Sequence, residues 1–421
     1  MIKIYKFIKP NGLKKLEIIL DKRRDGQNQN IPIVSKILND IRKNKNKAVI
    51  KYENKLSKNS KIKPSIREVN NAANSLNPKI KKSIDFAYKR IFKYHSLQKI
   101  KNIKYKDKFN NRLEYRTYPI NKVGIYVPAN LPSTLMMNAI PAKIAGVKKI
   151  ILANPRLNKK LNPAIAYAAK KIGIKEIYSI GGAQAIGSLA YIQKVDKIIG
   201  PGNIYVAKAK QEVFGKVGIE GMIAGPSEIT VLADKKSGIK NILTSLIGQA
   251  EHDPNSQCII ISKDLNLLKD LRKIIKSNLI NLPRKKIAEK SLKKNGMLIH
   301  AINDKNIIDL INLIAPEHLE LNVSKPKKYI NKIINAGSIC IGRFSAMAVT
   351  DYNVGTNHVL PTMGSARFSS GLNVSDFYKK ISYINLSKKG IEEIGKKAIT
   401  LAEYENLEGH AQSIKSRIRS N

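Results

Sequence analysis

The chain has 421 residues and a mass of 47.0 kDa, enough for two or three domains at roughly 150 residues each. Lys and Arg total 77 against 31 Asp and Glu, a net charge of +46, yet 43% of the residues are hydrophobic, which excludes a disordered chain or a bare basic tail. The charge is densest in residues 1–110, 30 basic against 8 acidic side chains. It is spread there through Lys, Asn and Ile as compositional drift, without the patch, aromatic platform or motif that a nucleic-acid partner requires.

The N-terminus, Met-Ile-Lys-Ile-Tyr-Lys, breaks its apolar residues with lysines and offers no signal-peptide core. From 31 to 54 and from 78 to 96, apolar positions recur every three or four residues, a helical period. After Tyr118 the pattern changes to short apolar runs at 122–127, 149–153, 176–180 and 197–200, which read as buried parallel strands. Helical stretches at 138–147 and 163–172 lie between them in the βαβ manner. A second set of strands follows at 228–233, 257–261 and 296–299. Cys258 and Cys340 stand in apolar strings as buried thiols; with no Cys-x-x-Cys pair, a reducing cytoplasm fits. Beyond Lys388 a helical face returns with Ile391, Ile394, Ala398, Leu401 and Ala402. Nowhere do about 18 apolar residues run together, so no membrane span is expected.

Histidines carry the first chemical signal. Gln249 and His252 are three apart at a helix end that Asp253-Pro254 closes, so an amide and an imidazole share one face. Asp351 opens a Gly- and Asn-containing loop that reaches His358, and His410 follows a glycine expected to end a helix. Gln, His and Asp without thiolates suit zinc or a neighbouring divalent ion. Ala315-Pro-Glu-His318 sets a carboxylate beside an imidazole after a proline able to open a helix, a pair suited to proton transfer. Each string alone is weak. Turns at Gly181-Gly, Gly200-Pro-Gly and Gly225-Pro-Ser fall near strand ends, where open α/β sheets bind ligands.

The order of Gly181-Gly-Ala-Gln-Ala-Ile186, Gly200-Pro-Gly-Asn203, Gly225-Pro-Ser-Glu228, Gln249-Ala-Glu-His252, Ala315-Pro-Glu-His-Leu-Glu320 and Gly355-Thr-Asn-His-Val-Leu-Pro-Thr362, with His410 in the tail, resembles histidinol dehydrogenase. The resemblance implies two successive oxidations of L-histidinol through the aldehyde to L-histidine, using NAD twice. It implies zinc held by Gln249, His252, Asp351 and His410, the last given across a homodimer, and substrate contacts from Ser227, His358 and Glu405 besides these and His318. Glu317 and His318 would be the catalytic pair, and Tyr126, Gln184 and Asn203 the cofactor contacts. A relative acting on another amino alcohol would lack reason to keep Ser227, His358 and Glu405.

The implied fold is α/β, two incomplete Rossmann-like lobes of three α/β/α layers with small helical N- and C-terminal arms. A discontinuous lobe at 22–125 and 227–372 would carry substrate and zinc. A lobe at 126–226 would carry the cofactor, and arms at 1–21 and 373–421 would serve dimerisation. Two loops are shorter than is usual in the family, after Pro128 and at Tyr191-Ile-Gln-Lys194.

Overall fold

The computed structural model describes residues 2–8, 11–25, 31–220, 225–280 and 282–419. Parts of the expected arms, at 1, 9–10 and 420–421, of the larger lobe, at 26–30 and 281, and of the cofactor lobe, at 221–224, lie outside them. Two parallel sheets dominate. The larger runs Lys3–Tyr5, Gly296–His300, Gln257–Ser262, Glu228–Ala233, His318–Asn322, Ser338–Ile341 from edge to edge. The smaller runs Glu176–Tyr178, Lys149–Ala153, Lys122–Tyr126, Lys197–Ile199, Gly218–Ile219.

The central strands show no polar alternation because helices cover both faces. Every residue of Gln257–Ser262 is buried. One face packs on Ile242, Leu246, Leu268 and Leu271, the other on Leu16, Leu20, Ile307 and Leu310. The result is an α/β/α sandwich in each lobe, the fold class the sequence implies. Cys258 is fully buried and Cys340 nearly so, and burial pushes both thiols up to about 12. Among the described residues no helix is long and apolar enough to cross a membrane.

Local chemistry sets the helix bounds. Pro163–Ile172 matches its expected range: Asn162 accepts from the Ala164 and Ile165 N–H groups, proline occupies the first turn, and Gly173 closes the helix at φ 93°. The helix expected at 138–147 is Pro132–Ala145, because Pro132 opens it and Gly146 ends it in the left-handed region.

Four expectations are corrected. The described part of 1–21, expected as a helical arm, is not all helix and is built into the larger lobe: Lys3–Tyr5 pairs with Gly296–His300, and Leu16 and Leu20 of the helix Gly12–Asp25 are buried in the core, each worth about 1.5–3 kcal/mol. The helices between 32 and 96, expected with the larger lobe, lie against the smaller sheet, Ile37 and Ile41 packing with Ile151 and Ile186, and Ile84 and Ile91 with Val123 and Leu135. Pro316 opens no helix, since Asp304–Ile314 has ended before it and His318 begins a strand. In the tail, Tyr378–Asn385 joins an antiparallel sheet with Arg112–Pro119 and Ile103–Lys106. The helices Lys388–Tyr404 and Glu408–Arg419 follow, so Gly409 stands in the first turn of a helix rather than past the end of one.

Candidate active site between the two sheets

The amino ends of the larger sheet converge on a cavity of about 240 Å3. Ser227 precedes the strand Glu228–Ala233, Glu317 and His318 stand at the start of His318–Asn322, and Gln249 and His252 come from the end of the helix Ile239–Ala250. Asp351 and His358 reach the same cavity from the segment after Ser338–Ile341. Thr134 and Pro201, which follow strands of the smaller sheet, complete the wall. Seven residues named from the letters thus share one space.

Glu317 and His318 are almost fully buried. The His318 ring is oriented by Ser338, whose hydroxyl lies 3.1 Å from Nδ1. Nε2 is left 3.9 Å from both Glu317 Oε1 and Asp351 Oδ1. Desolvation pushes the imidazole down to about 3, helped by His358 and His252, so the ring is neutral near pH 7 and able to accept a proton. Burial raises the Glu317 carboxyl well above the usual range, opposed by the Glu228 N–H that donates to Oε2 at 2.8 Å. Burial holds Asp351 up at about 7 and His358 down at about 4. The His358 Nδ1 is 2.7 Å from the Asp351 carbonyl oxygen, and its Nε2 is 3.4 Å from Thr134.

The Gln249 side chain is buried, and its amide nitrogen has no partner. An amide can be turned so that its oxygen takes that place. A buried polar end without a partner, beside a carboxylate and an imidazole, fits a cation or a polar substrate group. Among the described residues, no three His, Cys, Asp or Glu side chains group as a metal site by themselves. Glu405 and His410 are exposed in the tail and do not line the cavity of their own chain.

The three expected cofactor residues lie beyond the carboxyl ends of the smaller sheet. Tyr126 ends its strand; Gln184 belongs to the short helix Gly182–Gly187; Asn203 caps Ile204–Val213 by accepting from the Val206 N–H. Tyr126 and Gln184 are buried. Asn203 lines a second cavity, of about 560 Å3, that meets the first at Gly225, Ser227 and His252.

Two supporting residues were not read from the letters. Arg23 forms a buried ion pair with Glu228, whose own N–H holds Glu317. Glu53 is fully buried and accepts from Gln184 at 2.9 Å and from the Gly181 N–H at 3.1 Å. A signal exists for each: Arg23 continues the Leu16, Leu20 stripe of its helix, and Glu53 interrupts the Val49, Tyr52 stripe of its own. A charge on an apolar stripe marks a buried partner.

The sequence profile of the histidinol dehydrogenase family matches residues 20–418. A histidinol dehydrogenase of Pelagibacter ubique is 57% identical across the whole of both chains, and one of Bacillus subtilis is 42% identical over 92% of each. The crystal structure of histidinol dehydrogenase from Elizabethkingia anophelis superposes with a TM-score of 0.91 at 36% identity, covering 100% of this chain and 98% of that one. A putative aldehyde dehydrogenase from Anabaena variabilis, TM-score 0.50 at 13% identity over 90% of this chain and 94% of that one, shares the fold alone. A match along nearly the entire length, with the cavity residues in place, shows that the chain belongs to the histidinol dehydrogenase family.

Proposed function

We propose that this chain oxidises L-histidinol to L-histidine in two NAD-dependent steps, the aldehyde remaining in the cavity between them. The observation that carries this reading is the buried Glu317–His318 pair facing Gln249, His252 and Asp351 across one cavity walled by both sheets. His318 takes the hydroxyl proton as the carbon gives up its hydride, so the oxygen becomes a carbonyl without carrying a full charge. Glu317 then removes a proton from water as its oxygen attacks the aldehyde. His318 returns its proton to the former carbonyl oxygen and takes one back as the hydrate loses its second hydride; the resulting acid releases its remaining proton to water and leaves as the carboxylate. Each positioned proton acceptor contributes about 10²–10⁴-fold in rate. NAD, when bound, takes the hydride in each step.

The donor set of Gln249, His252 and Asp351 suits zinc, with His410 of a second copy as fourth ligand. When bound, the metal supplies a fixed positive charge that orients the substrate's imidazole and amine. Ser227 and His358 contact the substrate from the same chain, and Glu405 from the second copy. Tyr126, Gln184 and Asn203 hold NAD. Exposed Leu401 and Tyr404 on the tail helix support its docking on a homodimer partner. The division into a discontinuous substrate lobe and an inserted cofactor lobe, and a cytoplasmic setting, belong to the same reading.

The test is NADH released per histidinol consumed, with metal analysis of the same sample: two NADH per substrate and one zinc per chain are expected. His318→Ala should keep the metal and lose most alcohol oxidation. Glu317→Gln should chiefly slow oxidation of supplied aldehyde. Unchanged aldehyde oxidation in Glu317→Gln would overturn the role given to that carboxylate.

A further inference from the structure

Numbered along each lobe, both parallel sheets place their strands in the order third, second, first, fourth, fifth, the larger sheet adding the N-terminal strand at one edge. Each therefore has one switch point where the winding reverses. It lies between Lys122–Tyr126 and Lys197–Ile199 in the smaller sheet, and between Glu228–Ala233 and His318–Asn322 in the larger. Ligands of open α/β sheets bind beyond the carboxyl ends of the strands at such a point. In the smaller sheet Tyr126 and Asn203 stand there. In the larger sheet the proposed chemistry uses the opposite, amino ends, so its carboxyl-end crevice takes no part in the reaction.

That crevice is open and has the chemistry of a ligand site. Its cavity of about 460 Å3 falls within the range of about 300–1,000 Å3 usual for small-molecule pockets. Four ammonium groups line it. Lys263 and Lys328 are tied to Asp304, whereas Lys235 and Lys325 make no ion pair among the described residues. The neighbouring Asp234 carboxylate is consumed within the protein, accepting from the Ser324 N–H and hydroxyl at 2.7 Å and from the Lys236 N–H at 2.9 Å. Those bonds brace the two loops that carry the free lysines. The apolar lining comes from the half-buried Leu265 and Val323, with Ile307 almost fully buried. Asp264 caps the adjacent helix by accepting from Asn266 and Leu267, so an anion here relies on the lysines rather than on that helix end.

We propose that this crevice binds a mononucleotide, its phosphates between Lys235 and Lys325 and its base against Leu265 and Val323. The site is distinct from the catalytic cavity and does not depend on the reaction assigned to it.

Calorimetric titration of the full-length protein with ATP, AMP and inorganic pyrophosphate, each with NAD in excess to occupy the cofactor crevice, tests this. ATP is expected to bind under NAD, more tightly than pyrophosphate. The Lys235→Ala, Lys325→Ala double variant is expected to weaken ATP about tenfold or more while histidinol oxidation stays at the parent rate. Both lysines are exposed, so the parent rate also reports an intact fold. Displacement of ATP by NAD, pyrophosphate binding as tight as ATP, or ATP affinity unchanged in the double variant would each overturn the proposal.

Discussion

Arg23 supports the site from outside the cavity wall. Its guanidinium is largely buried and the Glu228 carboxylate almost fully so, and the next support along the line is the Glu228 N–H that holds Glu317. Removing one partner of such a pair leaves an uncompensated charge and costs about 3–5 kcal/mol. Arg23→Met should therefore lower unfolding free energy by that amount in urea titration. Arg23→Met with Glu228→Gln should recover most of it, since the buried charge is then gone. Protonation gives a second expectation at this scale. Glu317 must be ionised to accept a proton, and its pKa is raised, so aldehyde oxidation should fall as pH drops through that raised value. His318, held near 3, stays neutral over the same range and adds no loss of its own. Rate profiles with supplied aldehyde should show this acid limb in the parent, and Glu317→Gln should keep only the part that belongs to Asp351, held up at about 7. Gln249 and His252 were legible because their spacing is local, three residues on one helix. The Arg23–Glu228 contact joins residues 205 apart in sequence, and no periodicity reports such a contact.

At the scale of elements, the turn Gly200–Asn203 decides how the smaller sheet meets the cavity. Gly200 has φ 109°, and a Cβ there would come within 2.0 Å of the Tyr126 carbonyl oxygen. The Lys210 ammonium binds the Gly200 carbonyl and the Glu220 carboxylate, both buried contacts, and so fixes the same turn. Gly200→Ala combines left-handed backbone strain of about 1–3 kcal/mol with a clash against the strand that ends in Tyr126. It should lower the melting temperature and raise the KM for NAD more than that for histidinol, as steady-state kinetics would show. The turn was visible as Gly-Pro-Gly, and most parallel strands as unbroken apolar runs. The antiparallel sheet was not. Ile103–Lys106 is exposed throughout and Arg112–Pro119 is never fully buried, so neither carries the apolar density by which the other strands announce themselves.

For the whole molecule, the tail is the decisive feature. His410 lies on the exposed last helix and Glu405 in the turn before it, both away from the cavity of their own chain. If the site is completed by a second copy, His318→Ala and His410→Ala should each be inactive alone. Refolded together in equal amounts, they should recover roughly a quarter of parent activity, because half of the dimers are mixed and each mixed dimer has one intact site. No recovery would mean that each tail serves its own chain. The proposed sharing of the site came only through the family resemblance. Helical spacing beyond Lys388 gave the element, but a residue that works on another chain leaves no trace in its own chain's periodicity.

The cavity has one wall from the amino ends of the larger sheet and another from the carboxyl ends of the smaller. Under the proposed reaction, the substrate and the dinucleotide are therefore moored to different slabs. A spent dinucleotide can depart from its slab and a fresh one arrive while the half-oxidised carbon skeleton stays fastened to the other. Two rounds of electron removal then need one docking of the amino alcohol and no escape of a reactive carbonyl compound into bulk water.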